Sequence, residues 1–569
     1  MPSEKDSRGC TQCQRARREC PGYRVQVDVI FHDQSENVIR KAKASEARKA
    51  AVPLKSSPEV RSTLEHEGDA GVEEDDGLEL VSQQRFDALF SIRPTLEERA
   101  TCHFFFHYII GIHPPADGAL DNLSVLYKSN VVDETLATAV RAVSLASYAN
   151  HMRSTELTDT SRYQYTRAIS LTNLALSCPE SAVENTTLLS VMILGMFEII
   201  GGRSQRSVKA WLEHVRGSAA LIKLRGYEQL NTLIGRRLFL QAMTGILTSC
   251  IQLMVAIPEH LMEMTRRLPD VMNLQDDWVR RSIELHLAML EVNQLRAAIE
   301  KGTITDRHAI LAQAVELDQE ITSILDDPPA QWQFHYFPAD DQPGSADVFY
   351  HGFAHNYSDT TVATMWNAAR VMRILLNESI RDNLLKGFAV KPPLFTLPEH
   401  TAQFQLSTDV CCQLQAEILA SVPHHLGYVR RTAPSWTTPG TADNWRNMEQ
   451  WSNDPSVTEP CGEGPASESC SPDSDFTVST SGTAVSSPFF YATGSSNPAR
   501  ATGGLNLLWP LFLAGMMEVS TDEVRQYCVR IFRHIGDDMG IRQALVLAKV
   551  VESRTWIEAW HDKSSVGVE

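Results

Sequence analysis

The side chains with the most chemistry to offer stand within the first 24 residues. Cys10, Cys13 and Cys20 occur in the run Cys10-Thr-Gln-Cys13-Gln-Arg-Ala-Arg-Arg-Glu-Cys20-Pro21-Gly22-Tyr23-Arg24. A gap of two residues lets both sulfurs of one turn reach one metal, and zinc is held by thiolates whose charge it offsets. The third thiolate can close back across a single helical turn. Arg15, Arg17 and Arg18, which lie between the thiols, would lower thiol pKa values, and with Arg24 they can meet phosphates. Spacing by itself leaves open a plainer alternative, three free thiols on a basic tail.

Other candidates are spread through the chain. Trp211 and His214 lie one helical turn apart beside Val215, a pattern expected of a core face. His335, Tyr336, Tyr350, His351, His355 and Tyr357 cluster near Pro338, Pro343 and Gly344. Aromatic loop packing is the first reading there, and the lip of a small-molecule pocket is the second. Cys411 and Cys412 fall in a helical segment where adjacent thiols point different ways and read as buried hydrophobes. His424-His425 reads as a helix-end pair. No Gly-rich phosphate loop, H-E-x-x-H, G-x-S-x-G or dinucleotide fingerprint is present, so catalysis is not expected.

These residues must be positioned by a chain of 569 residues, 43% hydrophobic and 21% charged, with a formal net charge of -18. That balance excludes a surface that is basic throughout, so any contact with nucleic acid must be local. Charge is uneven: residues 1–49 carry 11 Lys/Arg against 7 Asp/Glu, and residues 50–80 carry 2 against 9. A basic head is followed by an acidic linker too poor in apolar residues to fold. The 11 cysteines are odd in number and do not suggest a secreted disulfide framework. Residues 1–9 lack the apolar core of a secretory signal. Leu188 to Ile200, the longest apolar stretch, contains Glu198 and is too short for a bilayer. A reducing intracellular compartment and no membrane association are expected.

From about Ser82 onward apolar residues recur three and four apart, which predicts helices. Leu136, Val140, Val143 and Ser147 share one face. A central helix is expected from the Thr186/Thr187 region to Gly201-Gly202, where a glycine can stop a helix in the left-handed conformation. Ile310, Ala314, Leu317, Ile321 and Leu325 form a stripe closed by Pro328-Pro329. Ser520 and Glu523 have capping-box spacing before Val524, Tyr527, Cys528, Ile531 and Ile535. Strand-like alternation is nearly absent, so the expected fold class is all-α. Of the 50 residues from Pro455 to Gly504, 29 are Ser, Thr, Pro or Gly, which predicts a disordered insertion. The helical pattern resumes at Leu505.

The amino-terminal segment resembles the second half of the fungal binuclear zinc cluster of transcription factors. The full pattern has two C-x2-C-x6-C units around two zinc ions. Cys10, Cys13 and Cys20 match its last three cysteines, and Pro21-Gly22-Tyr23-Arg24 with Asp28, Phe31 and Asp33 matches a common exit from the cluster. Further along, Ala210-Trp211-Leu212-Glu213-His214-Val215-Arg216-Gly217, Ala220 to Gly226, Gly235-Arg236-Arg237-Leu238-Phe239, Leu508-Trp509-Pro510-Leu511 and Gly540-Ile541-Arg542 resemble the fungal-specific transcription factor region. The resemblance implies a nuclear, DNA-binding regulator of metabolic or secondary-metabolite genes. Its cofactor would be zinc, and its partners DNA, the transcription machinery and a second copy in a homodimer.

The first C-x2-C-x6-C unit, with the basic helix that reads bases in the family, has no counterpart before Cys10. Three thiolates cannot build the two-zinc site, so Cys10, Cys13 and Cys20 would hold at most one ion with an outside ligand. Either the chain as written begins downstream of the true start, the favoured expectation, or direct DNA reading is lost and the protein acts as a helical interaction regulator. DNA binding is therefore expected to be impaired. The expected organisation is an incomplete zinc-cluster segment over 1–34 and a basic then acidic linker over 35–81. A helical domain follows over 82–433 and 505–560, with the insertion at 434–504. Asp33 and Glu36 have capping-box spacing ahead of Arg40, Lys41, Lys43, Arg48 and Lys49, which suits either a solvated helix or frayed tail, or a backbone-contacting or dimer-forming linker.

Overall fold

Apolar periodicity translates into helices almost throughout. The computed structural model describes residues 94–429 and 501–555, apart from 110–111, 114–115, 118–119, 129–131, 273 and 339–346. The cysteine head, the linker and the insertion up to residue 500 lie outside the described residues. The chain runs through α1 (Leu96–Tyr108), a small hairpin of β1 (Ile112–His113) and β2 (Ala116–Asp117), α2 (Asp121–Lys128), α3 (Glu134–Met152), α4 (Thr155–Leu176) and α5 (Pro179–Ala182). Next come α6 (Asn185–Gly201), α7 (Gln205–Arg225), a 3-10 turn (Tyr227–Asn231), α8 (Leu233–Leu253), α9 (Glu259–Arg266), α10 (Leu268–Val271), α11 (Asp277–Lys301) and α12 (Arg307–Leu325). A second hairpin pairs β3 (Phe334–Pro338) with β4 (Phe353–Tyr357), and α13 (Thr360–Ala389), α14 (Pro398–His425), α15 (Ala501–Met516), α16 (Asp522–Asp537) and α17 (Gln543–Ser553) complete the body. The fold class is all-α.

Local chemistry explains the helix starts. Thr95 and Glu98 close a reciprocal capping box on α1, and Asp133, Ser154 and Thr232 cap α3, α4 and α8 through side-chain oxygens. The expected stripes face the core: Leu136, Val140, Val143 and Ser147 on α3 and Val524, Tyr527, Cys528, Ile531 and Ile535 on α16 are buried, and on α12 Ile310, Ala314 and Ile321 are buried while Leu317 and Leu325 are half-buried. Leu188, Leu189, Ile193 and Leu194 of α6 are all buried, each worth roughly 1.5–3 kcal/mol relative to exposure. This places α6 at the centre, as its apolar flanks predict.

Three expected details are corrected. Gly202 stops α6 at φ -73°, an ordinary extended conformation, so its backbone freedom is not the reason for glycine. A Cβ there would lie 2.2 Å from the Glu198 carbonyl oxygen and 2.3 Å from the Ser207 Cβ, so the requirement is close approach. Thr521, not Ser520, caps α16 by accepting from the Val524 N–H. Ser520 instead donates to the Ala514 carbonyl at 2.7 Å. Helix α15 begins at Ala501, inside the stretch counted as insertion. Its Gly503 and Gly504 are packing residues: a Cβ at Gly503 would lie 1.8 Å from the His425 carbonyl oxygen, and one at Gly504 would lie 2.9 Å from the Met539 sulfur.

One contiguous core extends from Phe104 on α1 through α6, α8 and α14 to Phe532 and Val551 near the end of the described chain. Residues 501–555 dock on the earlier helices by named contacts. Gln415 on α14 donates to the Ala514 carbonyl at 2.7 Å, Asn506 donates to Thr364 on α13 at 2.9 Å, and Tyr527 donates to the Val348 carbonyl at 2.6 Å. At the opposite edge, Asn150 of α3 donates to the carbonyls of Ile200 and Gly540, both at 2.9 Å.

Candidate functional site

Two buried polar centres stand out among those of the described residues, and the larger lies where the β3–β4 hairpin meets α13 and α14. Arg370 on α13 is 1% exposed. A guanidinium taken from water requires partners on every side. Its Nε donates to Glu417 of α14 at 2.9 Å, and its Nη1 donates to the Tyr357 hydroxyl at 2.7 Å and to Asn367 Oδ1 at 3.0 Å. Phe334 and Trp366 each place a ring centroid 5.4 Å from the guanidinium carbon, so aromatic faces cover the sides that hydrogen bonds do not. Burial works against the charge, and the neighbouring Tyr357 and Glu417 outweigh it, so the Arg370 pKa rises. One nitrogen, Nη2, is buried without a hydrogen-bond partner.

A shell of histidines and amides continues the network. Tyr357 hydrogen-bonds His355 Nδ1 at 2.8 Å, and its backbone N–H donates to His424 Nδ1 at 3.3 Å. Asn367 Nδ2 donates to Ser421 at 2.8 Å and to His425 at 3.2 Å. Burial, helped by Arg370 and His424, pushes the His355 pKa down to about 3. Burial, then His424 and Arg370, pushes His425 down to about 3. Burial holds the Tyr357 hydroxyl at about 12 despite Arg370. Every shifted group here titrates far from neutrality, so the centre keeps its proton inventory and joins three elements electrostatically.

The smaller centre joins α4, α6 and α7. The Tyr165 hydroxyl donates to Glu198 Oε1 at 2.7 Å and hydrogen-bonds His214 Nε2 at 3.0 Å, with the ring stacked on Phe197 at 4.2 Å. Burial raises the Glu198 pKa and lowers that of His214 to about 4. A carboxyl inside an apolar helix is thus partnered by a hydroxyl reaching in from α4.

The sequence-predicted residues separate accordingly. Cys10, Cys13, Cys20, Arg15, Arg17, Arg18 and Arg24 lie outside the described residues. Of the aromatic and histidine cluster, His355 and Tyr357 enter the Arg370 centre, Tyr350 packs on Tyr527 at 5.0 Å, and His335, Tyr336 and His351 face solvent. The stretch is a paired hairpin with Phe334 opposite Tyr357, not a loop. Trp211 packs against the core while His214 joins the second centre. His424-His425 does end a helix, and both rings are buried. Cys411 is buried, with burial raising its thiol to about 12, and Cys412 is exposed, so only one of the adjacent thiols behaves as a hydrophobe.

Arg370 itself escaped the sequence reading. Its signal was present: Ala363, Asn367, Arg370 and Ile374 share one face of α13 and all are buried. Among the described residues no group of three His, Cys, Asp or Glu side chains is arranged to hold a metal ion, and no helix is long and apolar enough to cross a membrane.

Residues 101–335 match the model of the fungal specific transcription factor domain. That stretch runs from within α1 into β3 and contains both partners of the α6–α7 packing and the whole Tyr165 centre. Over 259 residues the chain is 24% identical to transcription factor dbaG of Emericella nidulans, covering 45% of this chain and 44% of that protein. The chain therefore spans less than half the length of the curated relative it matches. No solved structure matches.

Proposed function

We propose that this chain is a nuclear, non-catalytic transcription regulator whose helical body governs a small metal-held head at the amino terminus. The match of residues 101–335 to a fungal specific transcription factor domain carries this reading. The body supplies rigid helices joined by buried charge, an architecture suited to relaying a binding event between surfaces.

In this reading Cys10, Cys13 and Cys20 would hold zinc. Three thiolates suit a single ion completed by a fourth ligand and do not suit a two-zinc cluster. Bound zinc would fold the head, which brings Arg15, Arg17, Arg18 and Arg24 to phosphates as salt-sensitive contacts that carry no sequence information. DNA contact through these arginines alone would be salt-sensitive and sequence-indifferent. Homodimerisation and recruitment of the transcription machinery complete the proposal, with metabolic or secondary-metabolite genes as targets. A second reading, regulation through protein partners without DNA contact, draws on the three-thiolate donor set.

Chromatin immunoprecipitation of the tagged full chain, paired with transcript profiling of a deletion strain, tests the reading. A co-regulated gene set should change, with the protein cross-linked at its promoters. Unchanged transcripts would overturn regulation. Changed transcripts with promoter occupancy that survives Cys13→Ser would place recruitment on protein partners. Zinc is read separately by native mass spectrometry of the full chain, where one ion should be lost on Cys13→Ser.

A further inference from the structure

The turn that carries Gly540-Ile541-Arg542 closes on the ends of α3 and α6, and beside it lie two cavities of about 340 and about 270 Å³ that share Arg203 and Arg542. The larger falls within the roughly 300–1,000 Å³ usual for small-molecule sites. Four cations line the pair: Arg153, Arg203, Arg542 and Lys549. The only carboxylate among the lining residues is Asp537, and it is engaged by Arg542 Nη1 at 3.1 Å. In a chain of formal charge -18 this is a local inversion of sign. The first turn of α4, with Thr155 and Thr158, also lines the larger cavity and turns the positive end of that helix toward it.

Of the four cations, Arg542 is the one held by its neighbours, while Arg153, Arg203 and Lys549 are exposed at the rim. Asn150 fixes the turn by donating to the Ile200 and Gly540 carbonyls, and the Arg542 N–H donates to the Ile200 carbonyl at 3.1 Å. Arg542 Nε reaches Asn150 Oδ1 at 3.4 Å. Arg153 follows the last residue of α3 and Arg203 follows the stop of α6, where cations also favour helix C-termini. Helix-end stabilisation accounts for Arg153 and Arg203 singly, but not for Arg542, which stands at the N-cap of α17, nor for the convergence of the three on one cavity. Burial first, then Arg203 and Arg153, depress the Arg542 pKa, so the gathered charges repel one another.

We propose that this cleft is a binding site for a compact, multiply charged oxyanion, bearing phosphoryl or carboxylate groups, that bridges Arg153, Arg203 and Arg542. The site lies against the joint between α3, α6 and the α16–α17 turn, so its occupant would tie the late helices to the early ones. This proposal stands independently of the transcriptional reading.

Titration calorimetry of the full chain with sodium pyrophosphate and, separately, sodium citrate, each at matched ionic strength, provides the test. At least one anion should bind saturably. Binding of pyrophosphate alone would identify phosphoryl recognition, and binding of citrate alone would identify carboxylate recognition. Arg203→Glu should weaken binding about tenfold or more through loss of a charge-assisted contact. Arg206→Glu makes the same change of net charge on an exposed residue that does not line either cavity, and should leave affinity within about twofold. Absence of saturable binding by both anions, or equal weakening by the two variants, would overturn the proposal.

Discussion

Replacing Arg370 by Met removes the charge at the larger polar centre while keeping most of the side-chain volume. The cost follows from what is left behind. Asn367 Oδ1 loses a donor at 3.0 Å and the Tyr357 hydroxyl loses one at 2.7 Å, both in buried surroundings. Glu417 loses its cation, although its side chain keeps 20% exposure and water offsets part of that loss. Breaking a fully buried pair costs about 3–5 kcal/mol, and the exposure of Glu417 places this case near the lower bound, about 3 kcal/mol. In a body this large, 1 kcal/mol moves the melting midpoint by about 2 °C, so a fall of roughly 6 °C is expected by scanning calorimetry. Glu417→Gln, which retains an acceptor at a partly wet position, should cost about 1 kcal/mol. A double-mutant cycle between the two sites should return a coupling energy above about 1 kcal/mol. If Arg370→Met melts within about 1 °C of the parent, the guanidinium does not join the hairpin to α13 and α14, and the reasoning fails.

Gly503→Ala places a methyl where the His425 carbonyl already stands, so α15 must back away from α14. A loss of about 3 kcal/mol or more is expected in urea unfolding, and a neutral result would show that the helix ends are not in contact. Acid should destabilise the body through its buried histidines. The folded pKa values of His355 and His425, about 3, lie below the ordinary imidazole value of about 6.5, so their contribution is complete above pH 6.5 and is lost as pH falls toward 3. Each should cost roughly 1 kcal/mol per pH unit in that window. Urea midpoints at about pH 7.5 and about pH 5 check this, and equal midpoints would contradict neutral burial.

The helices were legible because burial of one face imposes a period that local residues report, as in α12 and α16. The glycines were harder to read, since composition cannot tell a glycine that frees the backbone from one that admits a neighbour. Gly202, Gly503 and Gly504 are all of the second kind, and counting the last two as linker moved the start of α15 by four residues. The β3–β4 hairpin was hidden because its strands are separated by a long connection rich in Pro and Gly. Only the pairing of Phe334 with Tyr357 across it shows why aromatic residues flank that gap. Arg370 was invisible as a site for a related reason. One arginine on an apolar face gives no hint of its partners when Tyr357 lies 13 residues before it and Glu417 lies 47 after. The cleft at Arg542 is similar, since its cations come from segments almost 400 residues apart in the chain.

The docking of residues 501–555 also bears on the order of synthesis. Helices α1, α13 and α14 leave the ribosome well before the segment that covers them. Until then the Gln415 amide lacks the Ala514 carbonyl, Thr364 lacks Asn506, and the His425 carbonyl lacks the close approach of Gly503. A nascent chain is therefore committed to a long wait with apolar helix faces uncovered, the interval in which chaperones act and aggregation competes. Because the same late segment also closes on Asn150 of α3, the early helices gain their last partners only once residues 501–555 have been made.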